Sequence, residues 1–169
     1  ATQRDIKRMF AYSSVAQFGL IVIAFAIAVH PASSDEALRF AIYGAVFHLL
    51  AHAVIKAGLF ATAGAIAASD GSRTVADYAG LARRRPFLAG AMAVLGLSIV
   101  GVPPTAGFVG KWYMAVAAVQ SGLWPVVFVV FASTVLTLLY VARILEKSYF
   151  DHRPDSVPDH QLGHGRSWQ

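Results

Sequence analysis

The chain has 169 residues, 57% hydrophobic and only 14% charged, with a mean hydropathy of +0.58. A soluble domain carries about 25% charged residues, so the composition points to a membrane protein and away from a soluble catalyst. The net charge of +5 lies in loops and at segment ends, a placement that suits membrane topology rather than nucleic acid, and the lack of cysteine excludes disulfides and thiolate metal sites.

The opening "ATQRDIKRMFAYSS" has no initiator methionine and no basic-then-apolar leader, so no signal peptide is expected. It reads as a polar loop in the middle of a longer protein, with Asp5, Lys7 and Arg8 as a solvated helix start. A hydrocarbon core of ~30 Å requires about 20 apolar residues in helix. Residues 10–29 meet that requirement and end at "HP" before the polar loop "ASSDEALR". Residues 37–68 form a longer apolar segment, followed by the basic loop "SDGSRTVADYAGLARRRP".

Residues 87–121 are apolar again but too long for one simple span. Their middle, "GVPPTAGFVGK", holds Pro103, Pro104, Gly101, Gly107 and Gly110, which cannot continue a helix without loss. Two short spans, or one span plus a broken one, should meet near Pro103. The last apolar run, 123–147, closes on Arg143, Glu146 and Lys147, and the tail from Asp151 onward is polar. The expectation is an all-α membrane protein. Residues 1–150 form a five-transmembrane-helix bundle with a Pro/Gly-broken helix near residues 101–111, and 151–169 are a fraying tail. Five spans would place the three basic regions on both faces, which leaves orientation open.

The chemistry lies in "FHLLAHAVIKAGLF". At 3.6 residues per turn, His48, His52 and Lys56 fall on one helical stripe. A lysine at mid-membrane costs a few kcal/mol, so it should face a hydrated or paired interior, and histidine titrates near neutrality. The plainer reading has hydrogen-bonded core histidines and a lysine that snorkels to the interface. Three ionisable groups in register favour a proton pathway. A zinc site is disfavoured, because the HEXXH pattern needs a glutamate where Leu49 stands. No metal or cofactor is expected.

Lys111 follows the broken stretch. Unwound backbone within a membrane is tolerated only where protein buries it or water reaches it, and broken helices build ion sites in transporters. A packing kink alone would need no lysine. Ser13, Ser14, Gln17, Ser98, Ser133, Thr137 and Tyr140 read as interhelical glue. Trp112, Trp124 and Tyr149 read as interfacial aromatics, with Trp112 as a candidate for inward packing.

"DIKRMFAYSSVAQFGL", "FHLLAHAVIKAGLFATAG", "YAGLARRRP", "GVPPTAGFVGKWY" and "LTLLYVARILEKSYF" occur in that order over residues 5–150. Together they resemble the antiporter-like membrane subunits shared by respiratory complex I and the multisubunit Mrp-type cation/proton antiporters. The likeness is drawn most closely to the Mrp D subunit, with the complex I subunits beside it. The resemblance implies two inverted five-helix repeats, each with a broken helix, and a hydrated line of lysine, histidine and glutamate. Lys111 would be the broken-helix lysine of the second repeat, and Lys56, His52 and His48 the ladder joining two half-channels. This chain has no room for the first repeat, so it is expected to be a fragment or a split subunit that requires a partner chain.

The implied function is proton translocation, with sodium coupling as its Mrp form, in a multisubunit antiporter of the bacterial plasma membrane. A redox-driven NADH:quinone oxidoreductase-type complex and a non-conducting structural subunit are the alternatives. The expected partners are other membrane subunits and the bilayer, not nucleic acid. An enzyme acting alone has little support, since no nucleophile–base pair or cofactor loop is present.

Overall fold

A computed structural model describes residues 5–31, 33–71 and 73–151. The expected tail therefore lies, beyond Asp151, outside the described residues. The helices are α1 (Ile6–Ala28), α2 (Asp35–Asp70), the single turn α3 (Leu81–Arg84), α4 (Pro86–Val100), α5 (Ala106–Gln120) and α6 (Trp124–Tyr149), with a 3-10 turn at Ala76–Tyr78. No strand occurs among the described residues, as the all-α reading requires.

Several helix ends have a local cause. The Asp5 carboxylate accepts from the Arg8 backbone N–H at 2.9 Å, and the Ser34 hydroxyl accepts from that of Ala37 at 3.1 Å. Both satisfy donors that a helix start leaves unpaired. Asp35 and Glu36 add negative charge in the first turn of α2, where the helix dipole favours it. Gly71 ends α2 at φ 68 and Gly101 ends α4 at φ 86, left-handed caps that suit glycine. Pro86 opens α4, the one helical position where its missing N–H costs little.

Helices α1, α2 and α6 are each long and apolar enough to cross a membrane. Helix α4 has 15 residues, about 22 Å at 1.5 Å per residue, short of the ~30 Å core. Its register explains how it manages. Along α2, Gly58 faces Leu95, Gly110 faces the backbone of His48, and Gly44 faces Met114. As α2 is followed from Gly58 back to Gly44, the opposing residues climb from α4 into α5. The two short helices therefore run in series, in the same sense, as halves of one interrupted pass.

The five main helices thus make four passes. This settles the relation of the basic regions, which five separate spans had set on opposite faces. Ile6 N–H donates to the Arg73 carbonyl at 3.1 Å, and Gly80 N–H to the Lys147 carbonyl at 3.3 Å. The chain start, the 71–86 loop and the end of α6 share one end of the bundle. At the other end the Ser33 and Ser121 hydroxyls pair at 2.8 Å.

The main core gathers Phe10, Leu59, Tyr78, Leu81, Met92 and Val141 from all sides of α2 and α4. Large apolar side chains such as Phe25, Val54, Phe128, Phe131 and Leu139 face outward, which suits contact with lipid rather than water.

Candidate functional site

Helix α2 continues without a break through residues 48–56, so the periodic stripe exists as expected. It faces inward. His48, His52 and Lys56 are 3%, 6% and 6% exposed, and Lys111 on α5 is 5% exposed. Neither lysine snorkels to an interface.

Lys56 reaches sideways into α1. Its amine donates to the Phe10 carbonyl and to the Ser13 hydroxyl, each at 2.5 Å, and lies 5.4 Å from the Phe10 ring centre. Lys111 turns back to the helix that precedes it. Its amine donates to the carbonyls of Val100 at 2.9 Å and Ile99 at 3.3 Å. Those are the last carbonyls of α4, which a helix end leaves without intrahelical partners and which carry its negative pole. The break therefore creates the acceptor that holds the lysine.

Two glycines allow this approach. A side chain at Gly107 would run into the Ser98 carbonyl, and one at Gly110 would meet the His48 backbone nitrogen at 2.7 Å. Without side chains there, α5 sits directly against the end of α4 and against α2 at His48. Trp112, by contrast, is 56% exposed and stacks on Phe108, so it faces outward instead of packing beside Lys111.

The imidazoles connect the two lysines. The rings of His48 and His52 lie 6.2 Å apart at 21°, and Phe18 meets His52 edge-on at 5.7 Å. Lys111 is within electrostatic reach of both rings, and Lys56 of His52. Both ring nitrogens of His48 and Nδ1 of His52 are buried without a hydrogen-bond partner among the described residues. Leaving a buried polar atom unpaired costs about 1–3 kcal/mol, so the site is suited to exchange protons or hold water. No cluster of three or more His, Cys, Asp or Glu forms among the described residues, and His48 with His52 is the nearest approach to a metal pair.

The structure brings the four side chains singled out from the sequence, His48, His52, Lys56 and Lys111, into one buried region. The sequence reading missed their acceptors, the Phe10 carbonyl, the Ser13 hydroxyl and the end of α4. The paired serines at 13–14 and the ten-residue step from Gly101 to Lys111 were the available signals.

Residues 1–137 match the family described as NADH:quinone oxidoreductase/Mrp antiporter, TM. The chain belongs to that family. Among its relatives in the family, NADH-quinone oxidoreductase subunit N of Desulforudis audaxviator is 41% identical over 152 residues, 90% of this chain and 28% of that protein. The F(420)H(2) dehydrogenase subunit N of Methanosarcina mazei is 34% identical over 157 residues, 88% of this chain and 30% of that protein. The chain thus spans under a third of the length of these relatives. A chain of respiratory complex I from Thermus thermophilus with bound NADH shares the fold at a TM-score of 0.77 and 24% identity, covering 93% of this chain and 32% of that one. These relatives carry the name of subunit N, so the finer likeness to the Mrp D subunit yields to the complex I side of the family.

Proposed function

We propose that the chain is the second, proton-conducting repeat of an antiporter-like membrane subunit in a quinone-linked, redox-driven respiratory complex. Protons move between Lys111 and Lys56 by way of His48 and His52. The observation that carries this reading is the pair of buried lysines on different helices, with two stacked imidazoles between them, of which both nitrogens of His48 and Nδ1 of His52 have no partner. The names of the relatives favour a redox-driven complex over a sodium-coupled Mrp assembly. They also support other membrane subunits as partners and the bacterial plasma membrane as the location. Transport follows if each amine changes its proton affinity as nearby charge and hydration change. The helix break gives Lys111 a fixed anchor from which it can release.

A second reading has an observation of its own. Both lysines are already held by carbonyls, as a purely structural repeat would require. The two readings separate in the complete assembly. Lys56→Ala should abolish most proton flux while the complex still assembles and oxidises its donor, and undiminished flux would leave only the structural role. Isolation of the native assembly should also show redox subunits beside this one, and small antiporter subunits in their place would overturn the redox-driven assignment.

A further inference from the structure

Lys56 occupies a junction. Along α2 it continues to His52, but its hydrogen bonds run across to α1, away from the ladder. Ser13, which receives one of them, donates its own proton to the Phe10 carbonyl at 3.0 Å. A hydroxyl has one donor and two acceptor positions, so Ser13 retains one acceptor position. Ser13 lines a groove of about 900 Å³ between α1 and α6.

Around that groove, on α6 and farther along α1, stand further polar groups. The Tyr140 hydroxyl lies near Ser13 but is buried without a satisfactory hydrogen-bond partner, as are the Ser133 hydroxyl and the Gln17 side-chain oxygen. Gln17, one helical turn beyond Ser13, is 1% exposed and donates to the Thr137 hydroxyl at 3.3 Å. That hydroxyl in turn donates to the Ser133 carbonyl at 2.7 Å. The Gln17–Thr137 contact alone would serve as interhelical glue. The Ser133 hydroxyl and the Gln17 oxygen exceed what glue requires, because they have no partner, and the Tyr140 hydroxyl has only Ser13 close by. Ser133, Thr137 and Tyr140 line the groove together with Ser13, and Gln17 lies buried beneath it; apart from Tyr12 and Arg143 the rest of the lining is apolar. A water molecule is stable where two to four polar partners converge, and this strip of polar groups supplies them.

We propose that Ser13, Gln17, Ser133, Thr137 and Tyr140 form a hydrated branch that continues the Lys111–His48–His52–Lys56 route from Lys56 to the α1–α6 groove. The Lys56 ammonium gives a proton to bridging water and becomes the neutral amine. Each hydroxyl or water along the strip then accepts one proton and passes on another, the last proton leaves on water in the groove, and the Lys56 amine is reprotonated by way of His52, so the relay groups end as they began. The branch rests on the proposed proton-conducting role. It makes Lys56 a three-way junction joined to the ladder, to α1 and to the groove.

The test uses the complete assembly with Tyr140→Phe, Ser13→Ala and Ser13→Thr, each normalised to the amount of assembled complex. Tyr140→Phe and Ser13→Ala should lower proton flux by roughly tenfold, and Ser13→Thr, which keeps the hydroxyl, should restore it. Flux equal to wild type in Tyr140→Phe and Ser13→Ala overturns the branch. If Lys56→Ala also leaves flux intact, the conducting role itself fails; if Lys56→Ala abolishes flux, only the branch fails. A high-resolution map of the wild-type assembly keeps the test open should a variant not assemble. Water bonded to the Tyr140 hydroxyl and the Gln17 oxygen is the expected result. A groove filled by an apolar chain, with neither atom hydrated, contradicts it.

Discussion

Gly110→Ala is the smallest change that reaches the ladder through packing alone. A methyl group at this position would meet the His48 backbone nitrogen and Cβ at 2.7 Å and its Cα at 2.8 Å. Ordinary contact begins near 3.4 Å, so α2 and α5 must separate by about 0.7 Å, a gap that already weakens dispersion contacts along the crossing. Backbone atoms cannot rotate aside as a side chain can, and overpacking of this kind costs about 1–3 kcal/mol. The same displacement carries Lys111 away from His48. Gly64→Ala is the control, since nothing lies within 4 Å of that position and alanine is favoured over glycine in a helix by about 0.5–1 kcal/mol. Thermal unfolding in detergent and proton flux per assembled complex are the assays. Gly110→Ala should lower both, while Gly64→Ala should leave flux unchanged and stability equal or higher. Gly110→Ala matching Gly64→Ala in both measurements would refute the close crossing.

Other expectations follow from the ends of the helices. Ser34→Ala removes the cap of α2 and should cost about 1 kcal/mol of stability, read as a lower unfolding temperature without a change in flux per complex. The shared basic end should face the cytoplasm, because lysine and arginine concentrate on that side. The chain has no cysteine of its own, so Glu36→Cys should react with an impermeant thiol reagent in intact cells and Ala76→Cys only after permeabilisation; the opposite pattern would invert the orientation. Tyr78, in the turn outside the spans, has its phenol pushed up to about 12 by burial and then by the charges of Asp77 and Asp5. The unfolded chain releases that proton near pH 10. The contribution of Tyr78 is therefore complete below about pH 10 and is lost as pH rises toward 12. Tyr78→Phe should flatten the alkaline fall in stability, and an unchanged fall would place Tyr78 in water.

Much of this architecture was legible in the residues. The apolar runs mark α1, α2 and α6, and Pro103–Pro104 with its glycines marks the interruption, because both signals are local to the chain. The stripe of His48, His52 and Lys56 was equally legible, since it depends only on helical period. Register was not. Whether α4 and α5 turn back or run in series depends on Gly58 meeting Leu95 and Gly110 meeting His48, contacts between residues far apart in sequence. The four-pass count follows from those contacts, and the common basic end from the Ile6–Arg73 and Gly80–Lys147 backbone hydrogen bonds. The partners of the lysines were hidden for a similar reason. Three of the four, those of Phe10, Ile99 and Val100, are backbone carbonyls, and a carbonyl becomes an acceptor through position rather than residue type. The polar residues of α1 and α6 look like ordinary glue until the Ser133 hydroxyl and the Gln17 oxygen are seen to have no partner.

The central claim concerns charge movement through Lys111, and proton flux by the reconstituted assembly carrying Lys111→Ala tests it most directly. Flux normalised to assembled complex should fall to a small fraction of wild type, with donor oxidation still measurable. Wild-type flux in that variant would contradict the account and leave Lys111 as no more than a cap for the end of α4.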